Sequence, residues 1–334
     1  MERRLPAEWE RQSFVLLAWP HPEGDFAPWI EEVSECYTDL VLAIAESLPV
    51  LIACRDLEHW EWLKRFLKRA LRSPGRRRVF REPVFGIELP FRDSWVRDTA
   101  PIPLLTPQGP HLIKFRFNGW GGRYPSGEDD RFGVELWRRG VFGPVPLSRT
   151  GWVVEGGSLE SDGEGRLLTT ESALLNPNRN RNPLRLRKAL SELLRIERWF
   201  LLKGREIPGD DTDGHIDLLA RFAPGKTVVH LEGLEGELRK RFGRGHRLIA
   251  VPLPDLPLPA SYCNFLLLNG TLLLPQYGVP EDKIARAQIG KAFPGWRVVP
   301  LDATPLIRQY GSLHCATFAY PEPFRLHVEP CLKL

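Results

Sequence analysis

Four short segments gather reactive residue types, the last three of them beside glycine turns. They are Phe91-Arg92-Asp93-Ser94-Trp95-Val96-Arg97-Asp98-Thr99-Ala100-Pro101, Val154-Glu155-Gly156-Gly157-Ser158, Gly209-Asp210-Asp211-Thr212-Asp213-Gly214-His215-Ile216-Asp217 and Gly311-Ser312-Leu313-His314-Cys315. Each has a bland reading. Asp98 beside Arg97 reads as a surface ion pair, Glu155 as a turn carboxylate, His215 as a hydrogen-bonded core residue and Cys315 as a small buried hydrophobe. The combination says more. One cysteine, one histidine and several acids, where glycine-rich turns meet strands, fit covalent hydrolysis by a thiolate with an acid–base partner. A thiol protease needs one acid or amide to orient its histidine. Three acids (Asp98, Glu155, Asp217) with no oxyanion donor fit a flat cation instead, because a guanidinium offers N–H groups in a rigid fork that matches carboxylates two at a time. Asp217 follows His215 by two residues, so on an extended strand both side chains face the same way.

The surrounding pattern alternates strands and helices. Strands are expected at 13–19, 50–53, 113–117, 152–154, 167–170, 216–222, 228–231, 248–251, 265–268 and 271–274. Helices are expected at 29–47, 57–72, 182–195 and 281–291, the second ended by Ser73-Pro74-Gly75. Asn269-Gly270 between two strands predicts a type I′ hairpin turn. No linker rich in Gly or Ser divides the chain, which predicts one α/β domain over 1–334. Asp98, Glu155 and His215 recur at roughly 60-residue intervals, with Cys315 after a longer gap, as a repeated strand–helix unit would place them.

Composition narrows the function classes. The chain has 334 residues, 46 basic and 42 acidic side chains and a formal charge of +4, so no global charge argues for nucleic acid or membrane. Apolar runs such as 40–45 are too short for a bilayer, and Met1-Glu2-Arg3-Arg4 leads into no secretory h-region. Five cysteines without CxxC spacing predict free thiols, and a cytoplasmic setting. One Met, 31 Pro and an excess of Arg over Lys are compatible with a heat-adapted source.

Three further signals are set aside. Ala220 to Thr227 matches a relaxed phosphate-loop pattern, but the residues that follow are strand-like and Pro224-Gly225 reads as a hairpin turn. The acidic run 210–214 lacks the ligand positions of a calcium loop, since Gly209 and Ala220 stand where acids are needed, so no metal site is expected. The basic stretch 64–81, with Arg76-Arg77-Arg78, reads as a solvated face. Cys263, at the start of an apolar run, has no neighbouring base and is not expected to be the nucleophile.

Longer motifs resemble a known family. They are Ala7-Glu8-Trp9-Glu10, Ala18-Trp19-Pro20, Arg97-Asp98-Thr99, Phe117-Asn118-Gly119-Trp120-Gly121-Gly122, Glu155-Gly156-Gly157-Ser158, Asn176-Pro177-Asn178-Arg179-Asn180, Thr212 to Asp217, Leu258 to Phe265 and His314-Cys315. Together they resemble the agmatine deiminases and the bacterial peptidylarginine deiminases of the same family, from about residue 5 to 317. The resemblance implies a pentein fold, a five-bladed α/β propeller with its site in a central channel. It implies Cys315 as nucleophile, His215 as general acid/base, Asp98 and Asp217 as a guanidinium clamp, Glu155 near both, and Trp95 and Trp120 lining the channel. Acids beside the cysteine would raise its pKa, and a bound cation would reverse that field.

The implied reaction is deimination of a small guanidine, agmatine first, to N-carbamoylputrescine and ammonia, through a thiouronium intermediate and without cofactor. Aminopropylagmatine and peptidyl-arginine are alternative substrates, amidino transfer an alternative reaction, and a non-catalytic pentein binder a rival class. No partner beyond the cationic substrate is implied, other than a second copy in a homodimer. The segment Arg308 to Ala319 departs from the family by having fewer glycines and Tyr310 in the loop, which predicts a differently shaped channel mouth.

Overall fold

The computed structural model describes residues 3–72, 80–329 and 331–333. The helix-ending Ser73-Pro74-Gly75 and the run Arg76-Arg77-Arg78 lie outside these, as do Met1 and Glu2. Among the described residues five sheets account for the strands. Apolar runs make the first: β1 (Gln12–Ala18), β2 (Val50–Cys54) and β3 (Val84–Glu88) are parallel neighbours, with Val15 opposite Val50 and Val50 opposite Val84.

The next four sheets share one arrangement. They are β4 (Ile102–Thr106), β5 (Gly109–Arg116) and β6 (Leu147–Val153); β7 (Glu160–Ser161), β8 (Arg166–Thr170) and β9 (Arg198–Leu202); β10 (Ala220–Ala223), β11 (Thr227–Leu231) and β12 (Arg247–Val251); and β13 (Leu266–Leu268), β14 (Thr271–Gln276) and β15 (Arg297–Asp302). In each, the first strand is antiparallel to the second and the second parallel to the third. The first sheet follows the same rule once β16 (Thr317–Pro321) is added. It pairs antiparallel with β1, and the short β17 (Leu332–Lys333) borders β3.

Parallel neighbours need a crossover, and a helix supplies it each time. Helices Ile30–Ile44, Leu57–Ala70, Asp129–Arg138, Pro183–Leu194, Glu235–Phe242 and Glu281–Ala292 fill these connections. Their starts are chemically marked. Asp56 accepts from His59 N at 2.8 Å, and Asn182 accepts from Arg185 N at 3.0 Å ahead of Pro183. Their inner faces repeat at helical spacing: Val33, Tyr37, Leu40, Val41 and Ile44 are all fully buried. Among the described residues no helix is long and apolar enough to cross a membrane.

Two local expectations fail. Residues 216–219 are a helical turn (Ile216–Leu219), and only Ala220–Ala223 continue as strand. His215 and Asp217 therefore do not share a face by β alternation. The hairpin at Asn269-Gly270 exists, but Gly270 alone has positive φ (77°), so the turn is not type I′. Asn269 instead uses its side chain, accepting from Gln12 N at 2.7 Å and donating to Gln12 O at 3.0 Å. The turn at Pro224-Gly225 does join antiparallel β10 and β11, with Gly225 at φ 71°.

Candidate active site

The chain enters the first strand of each sheet through a buried polar turn. Asp98 ends the turn before β4, Glu155 precedes β7, His215 and Asp217 precede β10, Asn264 precedes β13 and Cys315 precedes β16. The five turns converge. An added Cβ on Gly157 would lie 2.6 Å from His215 Nδ1, 3.1 Å from Asp217 Oδ2 and 3.1 Å from Asp98 Oδ1. Only a residue without a side chain fits at that meeting point.

Cys315 is 8% exposed, and its Sγ lies 3.7 Å from Asp217 Oδ2. Burial and the charges of Asp217 and Asp98 push its thiol well above the ordinary range. Asp217 Oδ2 also receives His314 Nδ1 at 2.7 Å, while Oδ1 is buried with no partner. Burial alone would raise the Asp217 pKa, but the hydrogen bond and charge of His314 hold it below the usual value.

Asp98 accepts from Gly157 N at 2.8 Å and from Trp120 Nε1 at 2.9 Å. Burial, with Glu155 and Asp217 nearby, keeps its pKa raised despite the opposing pull of His215. His215 lies between two acids: Nδ1 is 3.8 Å from Asp98 Oδ2, and Nε2 is 3.5 Å from Glu155 Oε2. Burial would lower its pKa, yet Asp98, Glu155 and Asp217 together raise it to about 9. Glu155 takes Arg179 Nε on both oxygens, at 2.8 and 2.7 Å. His215 and Arg179 thereby overcome its burial and hold its pKa down.

A cavity of about 370 Å³ opens over the thiol. Asp98, Trp95, Trp120 and Cys315 line it; Glu155, His215 and Asp217 stand behind, buried. Trp120 has left-handed backbone (φ 51°, ψ 55°), a conformation costing about 1–3 kcal/mol for a bulky residue. Packing over-determines it, with Phe117 edge-on at 4.9 Å and the indole bound to Asp98. Gly311 lets the Trp95 ring approach, since a Cβ there would meet it at 2.5 Å. Tyr310, beside the mouth, also has positive φ (68°) and is 38% exposed.

Several residues carry the site without having been assigned a role from sequence. Arg179 also donates to Asp213 at 2.5 Å and Thr212 O at 3.0 Å, tying the turn before β10 to Glu155. Glu8 receives His314 Nε2 at 2.8 Å, Arg97 Nη1 at 2.7 Å and Arg221 Nη2. Its segment and that of Arg179 were visible as motifs, but nothing local said what they touch. Asn264 divides the long gap between His215 and Cys315 almost evenly, and its segment too stands in a motif, Leu258 to Phe265. The acidic run 210–214 has a local use: Asp210 accepts from Thr212 N and Gly214 N, at 2.9 and 2.7 Å. Among the described residues no group of three or more His, Cys, Asp or Glu side chains is arranged so that it could hold a metal ion.

The arrangement is a thiol and a carboxylate at one cavity floor, backed by an imidazole of raised pKa and by further carboxylates, one with an oxygen lacking any partner. Comparison with known proteins agrees with that chemistry. The model of the Porphyromonas-type peptidyl-arginine deiminase family matches residues 4–321. An agmatine deiminase of Ectopseudomonas mendocina is 28% identical over 369 residues, covering 96% of this chain and 95% of that one. A solved cysteine-to-serine variant of C. jejuni agmatine deiminase, with substrate bound, is 27% identical, with a TM-score of 0.84 and 97% of each chain covered. A solved Porphyromonas gingivalis protein is 35% identical, with a TM-score of 0.85 over 97% of this chain and 100% of that one. The mixed α/β fold is that of the solved agmatine deiminases, and this chain belongs to the Porphyromonas-type peptidyl-arginine deiminase family, as an enzyme of the guanidino-modifying C–N hydrolase kind.

Proposed function

We propose that the protein hydrolyses agmatine to N-carbamoylputrescine and ammonia, on a single domain whose five sheets are the blades of a pentein propeller. One observation carries this reading. The Cys315 sulfur sits beside Asp217 and Asp98, and Asp217 Oδ1 is buried without a partner. Such a thiol stays protonated until a cation enters, and a guanidinium is the cation whose N–H groups match the waiting oxygens.

The steps then balance. Asp98 and Asp217 hold the guanidinium, and its charge favours loss of the Cys315 proton to solvent. The thiolate adds to the central carbon, giving a neutral tetrahedral adduct. His215, as imidazolium, protonates one nitrogen, the C–N bond breaks and ammonia departs, leaving a thiouronium. Neutral His215 takes a proton from the incoming water as its oxygen bonds to carbon. The C–S bond then breaks, the thiolate is restored and the ureido product leaves after losing one proton. These steps draw on no metal or organic cofactor.

The cavity mouth supports a substrate with a second cation. Asp25, Asp93 and Asp211 line it, against Arg92 and His21. An amine tail suits that wall better than the carboxylate of free arginine. The deciding experiment is ammonia release over a panel of agmatine, aminopropylagmatine, arginine and a blocked arginyl peptide, with Cys315→Ala as control. Agmatine should turn over fastest and the variant not at all. Ammonia from none of them would leave a binding role.

A further inference from the structure

Asn264 occupies, ahead of β13, the place that Asp98, Glu155, His215 and Cys315 occupy ahead of their strands. Its side chain is fully buried. Which end of its amide faces the sulfur is fixed by chemistry. Oδ1 accepts from His314 N at 3.0 Å and from Cys315 N at 3.3 Å, and both of those groups can only donate. The NH2 end is therefore the one at Cys315 Sγ, at 3.2 Å. A donor at that distance prefers an anionic sulfur to a neutral one.

We propose that Asn264 is a catalytic residue: its amide N–H binds the Cys315 sulfur, supporting the thiolate before attack and again when it is expelled from carbon. This deepens the reading of Cys315 as nucleophile and rests on it. The sulfur needs such a group. Burial, Asp217 and Asp98 all oppose its negative charge, while the Ser312 backbone contact and the Asn264 side chain favour it. Because Oδ1 grips the two amides that carry the sulfur, the same side chain also sets where Sγ points.

Asn264→Asp keeps the acceptor oxygen and exchanges the donor for a second oxygen. Two readings separate its effects: iodoacetamide alkylation of Cys315 followed by peptide mass analysis across pH, and guanidine turnover. Alkylation near neutral pH should slow by roughly 10- to 100-fold, the size expected of a hydrogen bond to a charged acceptor, and kcat should fall at least as far with KM little changed. Should the Asp variant fail to fold, Asn264→Ala and Asn264→Ser decide the matter, since the serine hydroxyl restores a donor and should recover part of the loss. Wild-type alkylation in whichever variants fold overturns the proposal, whatever their turnover. A slowed thiol in a protein that deiminates no guanidine would instead leave the Asn264 contact standing and remove the proposed function.

Discussion

Arg179 Nε lies within hydrogen-bond distance of both oxygens of Glu155, and neither side chain is more than 1% exposed. An arginine that never meets solvent thus sets the charge state of an acid facing the candidate general acid. Arg179→Met leaves Glu155 buried with only His215 to oppose its charge, and breaking a buried pair in this way costs about 3–5 kcal/mol. Urea denaturation should show a loss of that size. A loss under 1 kcal/mol would mean the pair is not what holds Glu155.

Gly157 is the point around which His215, Asp217 and Asp98 close. Gly157→Ala inserts a methyl that must displace at least one of them, since His215 Nδ1 would be 2.6 Å away. Displacements of this kind cost on the order of 100-fold in rate. Steady-state kinetics should place the loss in kcat more than in KM. Overpacking should also cost about 1–3 kcal/mol of stability, seen in the same denaturation assay.

His314 serves Asp217 through Nδ1 and Glu8 through Nε2, at 2.7 and 2.8 Å. The amide of Asn reaches about as far as Nδ1, and that of Gln about as far as Nε2. His314→Asn should therefore keep much of kcat/KM, whereas His314→Gln should lose roughly 10- to 100-fold. Equal losses would show that Asp217 does not depend on this contact.

His215 is raised to about 9, above its ordinary value near 6.5. A raised histidine contributes stability that is complete below the unfolded value and disappears as pH climbs through the folded one. The stability advantage of the wild type over His215→Asn should thus shrink between about pH 6.5 and 9. Denaturation midpoints of both proteins across that window test the sign. A widening gap would refute it.

Tyr310 stands in left-handed backbone at the cavity mouth, where glycine pays no steric cost. Tyr310→Gly should leave folding stability within about 1 kcal/mol, relief of strain offsetting the greater freedom of the unfolded chain. It should raise KM for agmatine by removing one wall. Unchanged KM would take Tyr310 out of the substrate's path.

Much of this was legible in the sequence, and the limits are physical. Four of the six crossover helices show their 3.6 period because one face of each is buried and the other wet; the shorter Asp129–Arg138 and Glu235–Phe242 do not stand out in the sequence. The strands at 84–88, 102–106, 198–202, 297–302 and 317–321 do not stand out in the sequence, having too few alternating residues. Cys315, His215, Glu155 and Asp217 are legible by type and by nearby glycines, Asp98 by type and its Arg97-Asp98-Thr99 motif, and the structure brings all five together. The route taken by His215 and Asp217 was not. A helical turn followed by a strand reads, in one dimension, as a longer apolar run. Glu8, Arg179 and His314 were hidden for another reason: each acts across sheets, on partners that folding alone brings near.

The pairing of β1 with β16 has a consequence for how the molecule is made. A ribosome delivers β1 before, and its antiparallel neighbour β16 only after, the strands of the other four sheets. Through most of synthesis the nascent chain carries an apolar edge with nothing beside it, the kind of edge chaperones shield. Cys315 is translated just before β16, after Asp98, Glu155 and Asp217.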